Sequence, residues 1–353
     1  MLPRLASGYY VLESEDEVVL RRVDGHRVDV RSSLPGKALW HFLQSLDGTR
    51  TVGELAAEHG LTVEFVERTL EDLRRVGALI EHAPRGPLAL YLSHLLHAPA
   101  DQVQEAVLNG DITVVGPHPL GGELIRALSL DGVRRIRWLD VHPDRTEASE
   151  EMDSLQRLIP EMEIARGSPG DLEALLERSS ACDLIVVGHE GPDPAVDDAV
   201  NQFAVSRGVR WMRLEIVGPD VILGPTVLPG QTACWECLRN RRLGHVTDPK
   251  VHETFEQSLR DTPARRPFGY SWSLLMLAAA LAAGEVLRLL IEPFCERPIL
   301  LPHTYGTQIV VSSLRGEWQA HHVLRLPRCR VCGRGRAEDV RVPAWVATDV
   351  SSA

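Results

Sequence analysis

The chain has 353 residues, 44% of them hydrophobic, and carries 49 acidic against 38 basic side chains for a net charge of -11. This length predicts two domains, or one large domain with an appendage. The acidic balance disfavours a nucleic-acid partner, because such affinity comes largely from contacts to phosphate. The first residues lack the pattern of a secretory signal, so we expect a soluble, cytoplasmic protein with no membrane partner.

Residues 1–85 are expected to form a separate small module. Three strand-like runs, GYYVLES, EVVLRRV and HRVDVRS, precede three helical segments, and the second of these opens with a Thr51–Glu54 capping box and stops at Gly60. This order predicts a winged helix-turn-helix with three strands and three helices. DNA binding is disfavoured, because residues 1–85 carry 11 basic and 14 acidic side chains and the third helix opens with the acidic sequence TVEFVERTLED.

A helical connector is predicted over 86–110, an α/β domain over 111–334 and a loose tail over 335–353. Within the α/β domain, DITVVG, VRRIRWLDV, CDLIVVG and VRWMRLEIVG are apolar runs of the kind that form buried parallel strands. The apolar stretch 274–291 is interrupted by Glu285 and Arg288. It therefore predicts a buried or dimer-interface helix rather than a membrane span, and a homodimer is one expected state.

Two C-x-x-C pairs lie about ninety residues apart, Cys234 with Cys237 and Cys329 with Cys332. Each pair places two thiolates on one tight turn, and two such turns complete a tetrahedral site with no open position for a substrate. Thiolates select zinc among the abundant cellular metals. Redox chemistry would need only one pair, and a reducing cytosol disfavours stable disulfides. We therefore predict a structural Zn²⁺ ion held by these four cysteines.

A glycine-containing turn follows the first predicted strand of the α/β domain. The sequence VVGPHPLGGELI places Gly116, Gly121 and Gly122 there, and Asp140 ends the next strand. This spacing is similar to a nucleotide fingerprint, in which glycines admit phosphate and the carboxylate binds ribose hydroxyls. The two prolines of the turn remove backbone donors that would cradle phosphate. The segment therefore predicts a degenerate nucleotide site, and a purely structural turn is the alternative.

The order of a winged-helix module, a glycine turn in an α/β sheet and two distant C-x-x-C pairs resembles the ThiF/ubiquitin-activating superfamily, and specifically the ocin-ThiF-like proteins of ribosomal peptide natural-product clusters. The resemblance implies a partner of a YcaO-type cyclodehydratase, which forms azolines in thiazole/oxazole-modified peptide or thiopeptide biosynthesis. It also implies that the precursor's leader peptide pairs with the third strand, beside the third helix. The expected peptide-binding residues are Arg27, Val28, Asp29, Val30, Arg31, Arg68, Arg74 and Arg75.

The chain departs from the adenylating members of that superfamily at the residues that would carry catalysis. Those members have an unbroken glycine loop, a lysine near phosphate and a D-x-T-D-N sequence after a later strand. Here no lysine lies between 38 and 249, and the later strand runs DLIVVGHEGPDP, with Asp193 as its nearest carboxylate. Adenylation concentrates negative charge in its transition state, so losing these groups should abolish it.

We therefore expect a non-catalytic, leader-binding partner protein that has no catalytic residue and does not use ATP. A ThiF-like peptide-adenylating enzyme is the alternative, and a zinc-bearing DNA-binding regulator is a third possibility. The arginine-rich segment LRNRRLGH, residues 238–245, is open to two interpretations. It could contact a partner or an acidic peptide, or it could form a solvated face.

Overall fold

The structure is a computed structural model, and it describes residues 2–6, 8–14, 17–22, 25, 27–30, 33–80, 100–141, 148–178, 181–261, 269–294 and 302–333. Two compact units are present, one comprising Met1–Ala106 with Pro293–Leu300 and the other Val107–Glu292 with Leu301–Ala353. The predicted module boundary at residue 85 and the predicted tail 335–353 lie outside the described residues.

The described residues of the first unit form a three-stranded antiparallel sheet and three helices. The sheet has the order β2-β3-β4, so that β4 lies at an edge, and a separate two-stranded pair joins β1 to β5. The strands are β1 (Arg4–Leu5), β2 (Tyr9–Ser14), β3 (Glu17–Arg22), β4 (Arg27–Val30) and β5 (Leu79–Ile80). The helices are α1 (Gly36–Gln44), α2 (Val52–His59) and α3 (Val63–Arg75), and α4 (Ala100–Asn109) crosses the boundary between the units.

Local sequence signals explain where α2 begins and ends. The hydroxyl of Thr51 accepts the N–H of Glu54 at 3.3 Å, and the Glu54 carboxylate accepts the N–H of Thr51 at 2.7 Å. Gly60 ends the helix in the left-handed conformation, with φ of 63°. The predicted capping box and stop are both confirmed. The core of this unit is apolar and includes Phe42 and Leu70.

The second unit is built on an eight-stranded mixed sheet with the order β13-β12-β11-β10-β9-β6-β7-β8. Strands β6 to β10 run parallel to one another, whereas β11, β12 and β13 continue the sheet as antiparallel strands. The strands are β6 (Asp111–Val115), β7 (Arg135–Asp140), β8 (Glu163–Arg166), β9 (Leu184–His189), β10 (Trp211–Val217), β11 (Asp220–Val227), β12 (Thr307–Ser312) and β13 (Glu317–His322). The predicted α/β class is confirmed.

The described residues of the second unit form seven further helices: α5 (Leu120–Leu130), α6 (Ala148–Leu158), α7 (Leu172–Glu177), α8 (Pro194–Arg207), α9 (Trp235–Leu243), α10 (Pro249–Asp261) and α11 (Trp272–Ile291). Among the described residues, α11 alone is long and apolar enough to cross a membrane, but two thirds of its most apolar window is buried inside the protein. It packs against α5, and its buried Glu285 accepts the N–H of Thr304 at 2.7 Å. The prediction of a buried helix is confirmed.

The parallel strands determine where the candidate site residues lie. Parallel strands end at the same edge of a sheet, and in open α/β sheets ligands bind outside these carboxyl ends. Gly116 follows β6, Asp140 ends β7 and His189 ends β9. The carboxyl half of β10 lies at the same edge of the sheet, because Glu215 pairs with His189, and α8 begins shortly after β9 ends.

Candidate functional site

The four predicted cysteines lie together in the second unit. Cys234 is the residue before α9 and Cys237 lies in its first turn, while Cys329 and Cys332 lie on a turn after β13. All four are buried, and their Sγ atoms lie within 4.8 Å of one another. Three of the Sγ–Sγ distances are 3.9, 3.6 and 3.4 Å. A tetrahedral zinc ion with bonds of about 2.3 Å separates its sulfur ligands by about 3.8 Å, so the arrangement fits such an ion.

The surroundings of the cluster favour the thiolate form of Cys237. The backbone N–H of Leu326 donates to the Cys237 Sγ atom at 3.3 Å. The hydrogen bond with the Cys234 thiol makes the largest contribution to the pKa of Cys237, and this N–H makes a smaller one. Together they lower that pKa to about 5. Beside the cluster, Glu236 accepts a hydrogen bond from Arg330 at 2.8 Å, which ties one cysteine turn to the other. This donor set could hold a metal ion, and thiolates suit a soft one.

The predicted glycine turn packs closely against its neighbours. A Cβ atom on Gly116, whose φ is 152°, would meet the carbonyl oxygen of Gly188 at 2.5 Å. The indole of Trp138, fully buried on β7, donates to the Gly116 carbonyl at 3.0 Å. A Cβ atom on Gly121 would lie 2.9 Å from the same indole nitrogen, while one on Gly122 would make ordinary contacts. Gly116 and Gly121 are therefore required for packing, whether or not a nucleotide binds.

A carboxylate of the chain itself lies at the start of α5. The Oε1 atom of Glu190 accepts the N–H of Leu120 at 3.2 Å, and both residues are buried. In a dinucleotide-binding fold the helix N-terminus at this turn would receive phosphate. Asp140 is buried at the end of β7. Asp193, the carboxylate nearest to the missing D-x-T-D-N position, caps α8 by accepting the N–H of Val196 at 3.2 Å.

A groove of about 480 Å³ lies in the first unit between the edge strand β4 and helix α3. Its floor is apolar and includes Phe65 and the buried Leu73, and its sides carry both signs of charge. The residues that line it are Val28, Asp29, Val30, Ser33, Phe65, Arg68, Thr69, Asp72, Leu73 and Val76.

Four of the eight residues expected to bind a peptide line this groove: Val28, Asp29, Val30 and Arg68. Arg27 is exposed beside it and pairs with Asp29 at 2.5 Å. Arg74 and Arg75 are exposed in the last turn of α3 but do not line the groove, and Arg75 pairs with Asp72 at 3.4 Å. Arg31 lies outside the described residues.

Sequence reasoning missed a buried network of charges near the carboxyl ends of β9 and β10. Asp197 contacts His189 at 2.8 Å and Arg213 at 2.9 Å, and Arg213 also donates to Glu215 at 2.6 Å. Burial lowers the pKa of His189, but the Asp197 carboxylate outweighs it, so the net shift is upward. Burial opposes ionisation of Asp197 and Glu215, yet Arg213 holds the pKa of each carboxyl below its usual value.

A weak signal of this network is present in the sequence. Arg213 and Glu215 stand two residues apart in an otherwise apolar strand, so they share one face of the sheet. The Arg213 guanidinium also lies 4.6 Å from the centre of the ring of Trp235, the residue that immediately follows Cys234 of the cysteine cluster. The network therefore links β9, β10 and α8 to the cysteine turn.

The fold is shared with several solved structures. The heterocyclase TruD has 20% sequence identity and a TM-score of 0.66 over 94% of this chain and 43% of its own. A heterocyclase in complex with substrate and cofactor has 18% sequence identity and a TM-score of 0.68 over 94% of this chain and 39% of its own. Escherichia coli MccB with ATP has 15% sequence identity and a TM-score of 0.62, and the match covers 94% of this chain and all of MccB.

This chain thus spans about two fifths of the heterocyclase chains and corresponds to MccB over its whole length. Identities of 15 to 20% show a common fold and do not transfer activity. No protein-family model and no curated protein matches the chain.

Proposed function

We propose that this chain is a cytoplasmic, non-catalytic scaffold that binds the leader of a ribosomally made precursor peptide and presents the precursor to a separate YcaO-type cyclodehydratase. The first unit is then a winged-helix leader-recognition module, and the second is a ThiF-like domain with a structural zinc ion. The observation that carries the proposal is the groove between β4 and α3. Binding the precursor close to the enzyme raises its effective concentration.

The groove suits an extended peptide because one of its walls is an edge of β4 that pairs with no other strand among the described residues. An added strand gains affinity from backbone hydrogen bonds and gains its register from side-chain pockets. In the β3–β4 hairpin, the N–H of Gly25 donates to the carbonyl of Arg22 at 3.1 Å. Counting from this turn, the backbone groups of Val28 should bond to β3, and those of Arg27 and Asp29 should face the free edge.

Apolar contacts, more than ion pairs, should determine which leaders are accepted. Arg27 and Arg75 already have carboxylates nearby, and such exposed pairs contribute little. Val28, Val30 and Phe65 are only partly buried, so an apolar peptide side chain would complete their burial. Arg68 is the arginine best placed to contact an acidic residue of the leader.

Two exposed valines near the ends of α3 provide a matched test. Val76 is 40% exposed and lines the groove, whereas Val63 is 49% exposed and does not. In the full chain, Val76→Glu should weaken leader binding about ten-fold or more, because it places a charge on an apolar surface. Val63→Glu should leave binding unchanged. Equal effects of the two substitutions, or equal processing of leader-bearing and leaderless precursor by the YcaO enzyme, would refute the proposal.

A peptide-adenylating enzyme is the second candidate, because the fold match covers all of MccB, which has been solved with ATP. The Glu190 carboxylate at the start of α5 supports the non-catalytic proposal, since ATP phosphate would have to displace it. Isothermal calorimetry with ATP and magnesium should detect no micromolar binding. Pyrophosphate exchange that depends on the precursor would favour adenylation instead.

A further inference from the structure

The side chain of Arg325 joins the two cysteine turns. Arg325 lies between the end of β13 and Cys329, and its guanidinium donates to both turns. The Nη1 atom donates to the carbonyl oxygen of Gly230 at 2.5 Å, and the Nη2 atom donates to that of Cys332 at 2.7 Å. Gly230 precedes Cys234 by four residues. One guanidinium therefore connects the backbone before the first cysteine pair to the backbone of the second.

The next residue, Leu326, contacts one cysteine of each pair. Its N–H donates to the Sγ atom of Cys237 at 3.3 Å, and its carbonyl accepts the N–H of Cys329 at 3.0 Å. Because Arg325 and Leu326 are adjacent in the chain, the bonds of the Arg325 side chain also restrain the backbone of Leu326. A shift of this short segment would move both cysteine pairs.

Arg330 also joins the two turns, but its contact is exposed. Its guanidinium donates to the Oε1 atom of Glu236 in the first cysteine turn at 2.8 Å, and its side chain is 79% exposed. Exposed ion pairs are screened by water and salt and contribute little. Arg325 is partly buried, and its two acceptors are backbone carbonyls rather than a movable side chain. Arg325 should therefore restrain the turns more strongly than Arg330 does.

The cysteine pairs need such a restraint because thiolates repel one another. A divalent ion bound by four thiolates leaves a net charge of about −2. The three Sγ–Sγ distances given above, 3.9, 3.6 and 3.4 Å, lie close to the spacing of about 3.8 Å that a tetrahedral zinc ion requires. The hydrogen bonds of Arg325 join the two backbones while the sulfur atoms have this spacing, and its guanidinium adds a positive charge beside the second pair.

We propose that Arg325 is a positioning residue of the metal site, which holds the two cysteine pairs at this spacing and so slows the release of a bound metal ion. The inference rests on metal binding by the four cysteines and does not depend on leader binding. Replacing a group that orients metal ligands commonly changes metal affinity about ten- to hundred-fold. If Arg325 only stabilised the fold, its replacement would lower the unfolding temperature but would not change metal release from the folded protein.

The test uses the full chain loaded with Co²⁺ in place of zinc, because cobalt bound by four thiolates absorbs visible light. Adding excess chelator and following the loss of this absorption gives the release rate. Arg325→Gln should release cobalt about ten-fold faster, with an unchanged absorption spectrum before release, because the four sulfur ligands remain. Arg325→Lys should release it at an intermediate rate, because it keeps the charge but not the two-pronged geometry. Arg330→Gln is the matched control and should stay within about two-fold of the unsubstituted rate.

Three results would overturn the inference: release from Arg325→Gln at the unsubstituted rate, equally fast release from Arg330→Gln, or a changed cobalt spectrum in Arg325→Gln, which would mean that a sulfur ligand is lost. If Arg325→Gln does not fold, the comparison of Arg325→Lys with Arg330→Lys replaces it, and only the first should speed release. Leader affinity of Arg325→Gln should equal that of the unsubstituted chain, because the groove belongs to the first unit. A failed leader proposal and a failed role for Arg325 are therefore distinguishable.

Discussion

The cysteine cluster should make the stability of the second unit depend on a bound metal ion. We expect about one zinc ion per chain, and Cys234→Ala should release it and lower the unfolding temperature, because structural zinc contributes folding free energy directly. Elemental analysis and thermal unfolding measure both effects. Cys182→Ala is the control, since Cys182 is a buried free thiol that does not belong to the cluster. Folded protein without metal would contradict the prediction.

His189 should make stability depend on pH. The pKa of His189 in the folded protein is raised above the unfolded value of about 6.5. Its contribution to the free energy of unfolding is therefore full below about pH 6.5 and is lost as the pH rises through the folded pKa. His189→Gln can keep a hydrogen bond to Asp197 but cannot titrate. Urea unfolding should therefore show a smaller fall in the free energy of unfolding above about pH 6.5 for the variant. Parallel pH profiles for the two proteins would show that His189 does not titrate in this range.

Individual site residues differ in how far the sequence reveals them. The cysteines could be predicted, because the chemistry of four thiolates at that spacing admits few alternatives. Asp197 and Arg213 could not be paired, because their bond joins α8 to β10 and depends on how those elements pack. Arg242 was identified only as part of an arginine-rich segment, because the hydrogen bond that it donates to Gln308 joins α9 to β12.

Leader binding should be most sensitive to proline at the positions of β4 whose N–H groups face its free edge. Asp29→Pro should spare the β3–β4 hydrogen bonds and remove one bond to an added peptide strand, weakening leader binding about five- to ten-fold. Asp29→Ala keeps the backbone donor and should bind nearly normally. Fluorescence anisotropy with a labelled leader gives both affinities. Equal binding by both variants would mean that no peptide strand pairs at this edge.

Burial separates four of the predicted strands from two of the strands that were missed, although the largely buried β12 was missed as well. Strands β6, β7, β9 and β10 are largely buried and appear in the sequence as apolar runs. Strand β8, with the sequence EIAR, and strand β13, with EWQAHH, lie at the two edges of the sheet and are largely exposed. Edge strands need few apolar residues, so composition does not distinguish them from loops.

The two units should respond separately to loss of metal. All four cysteines belong to the second unit, whereas the first unit has its own apolar core. Incubating the full chain with a zinc chelator should therefore abolish protection of β6 and β9 in amide hydrogen exchange and leave that of α1 and α3 nearly unchanged. Uniform loss of protection would show that the units unfold as one.

The separation of the cysteine pairs also has a consequence for the order of events during synthesis. Cys234 and Cys237 leave the ribosome well before Cys329 and Cys332, and the intervening chain includes α11, β12 and β13. A nascent chain can offer only two of the four sulfur ligands until β13 has been made. The metal site can therefore close only over an almost complete sheet, so zinc capture should be a late step of folding.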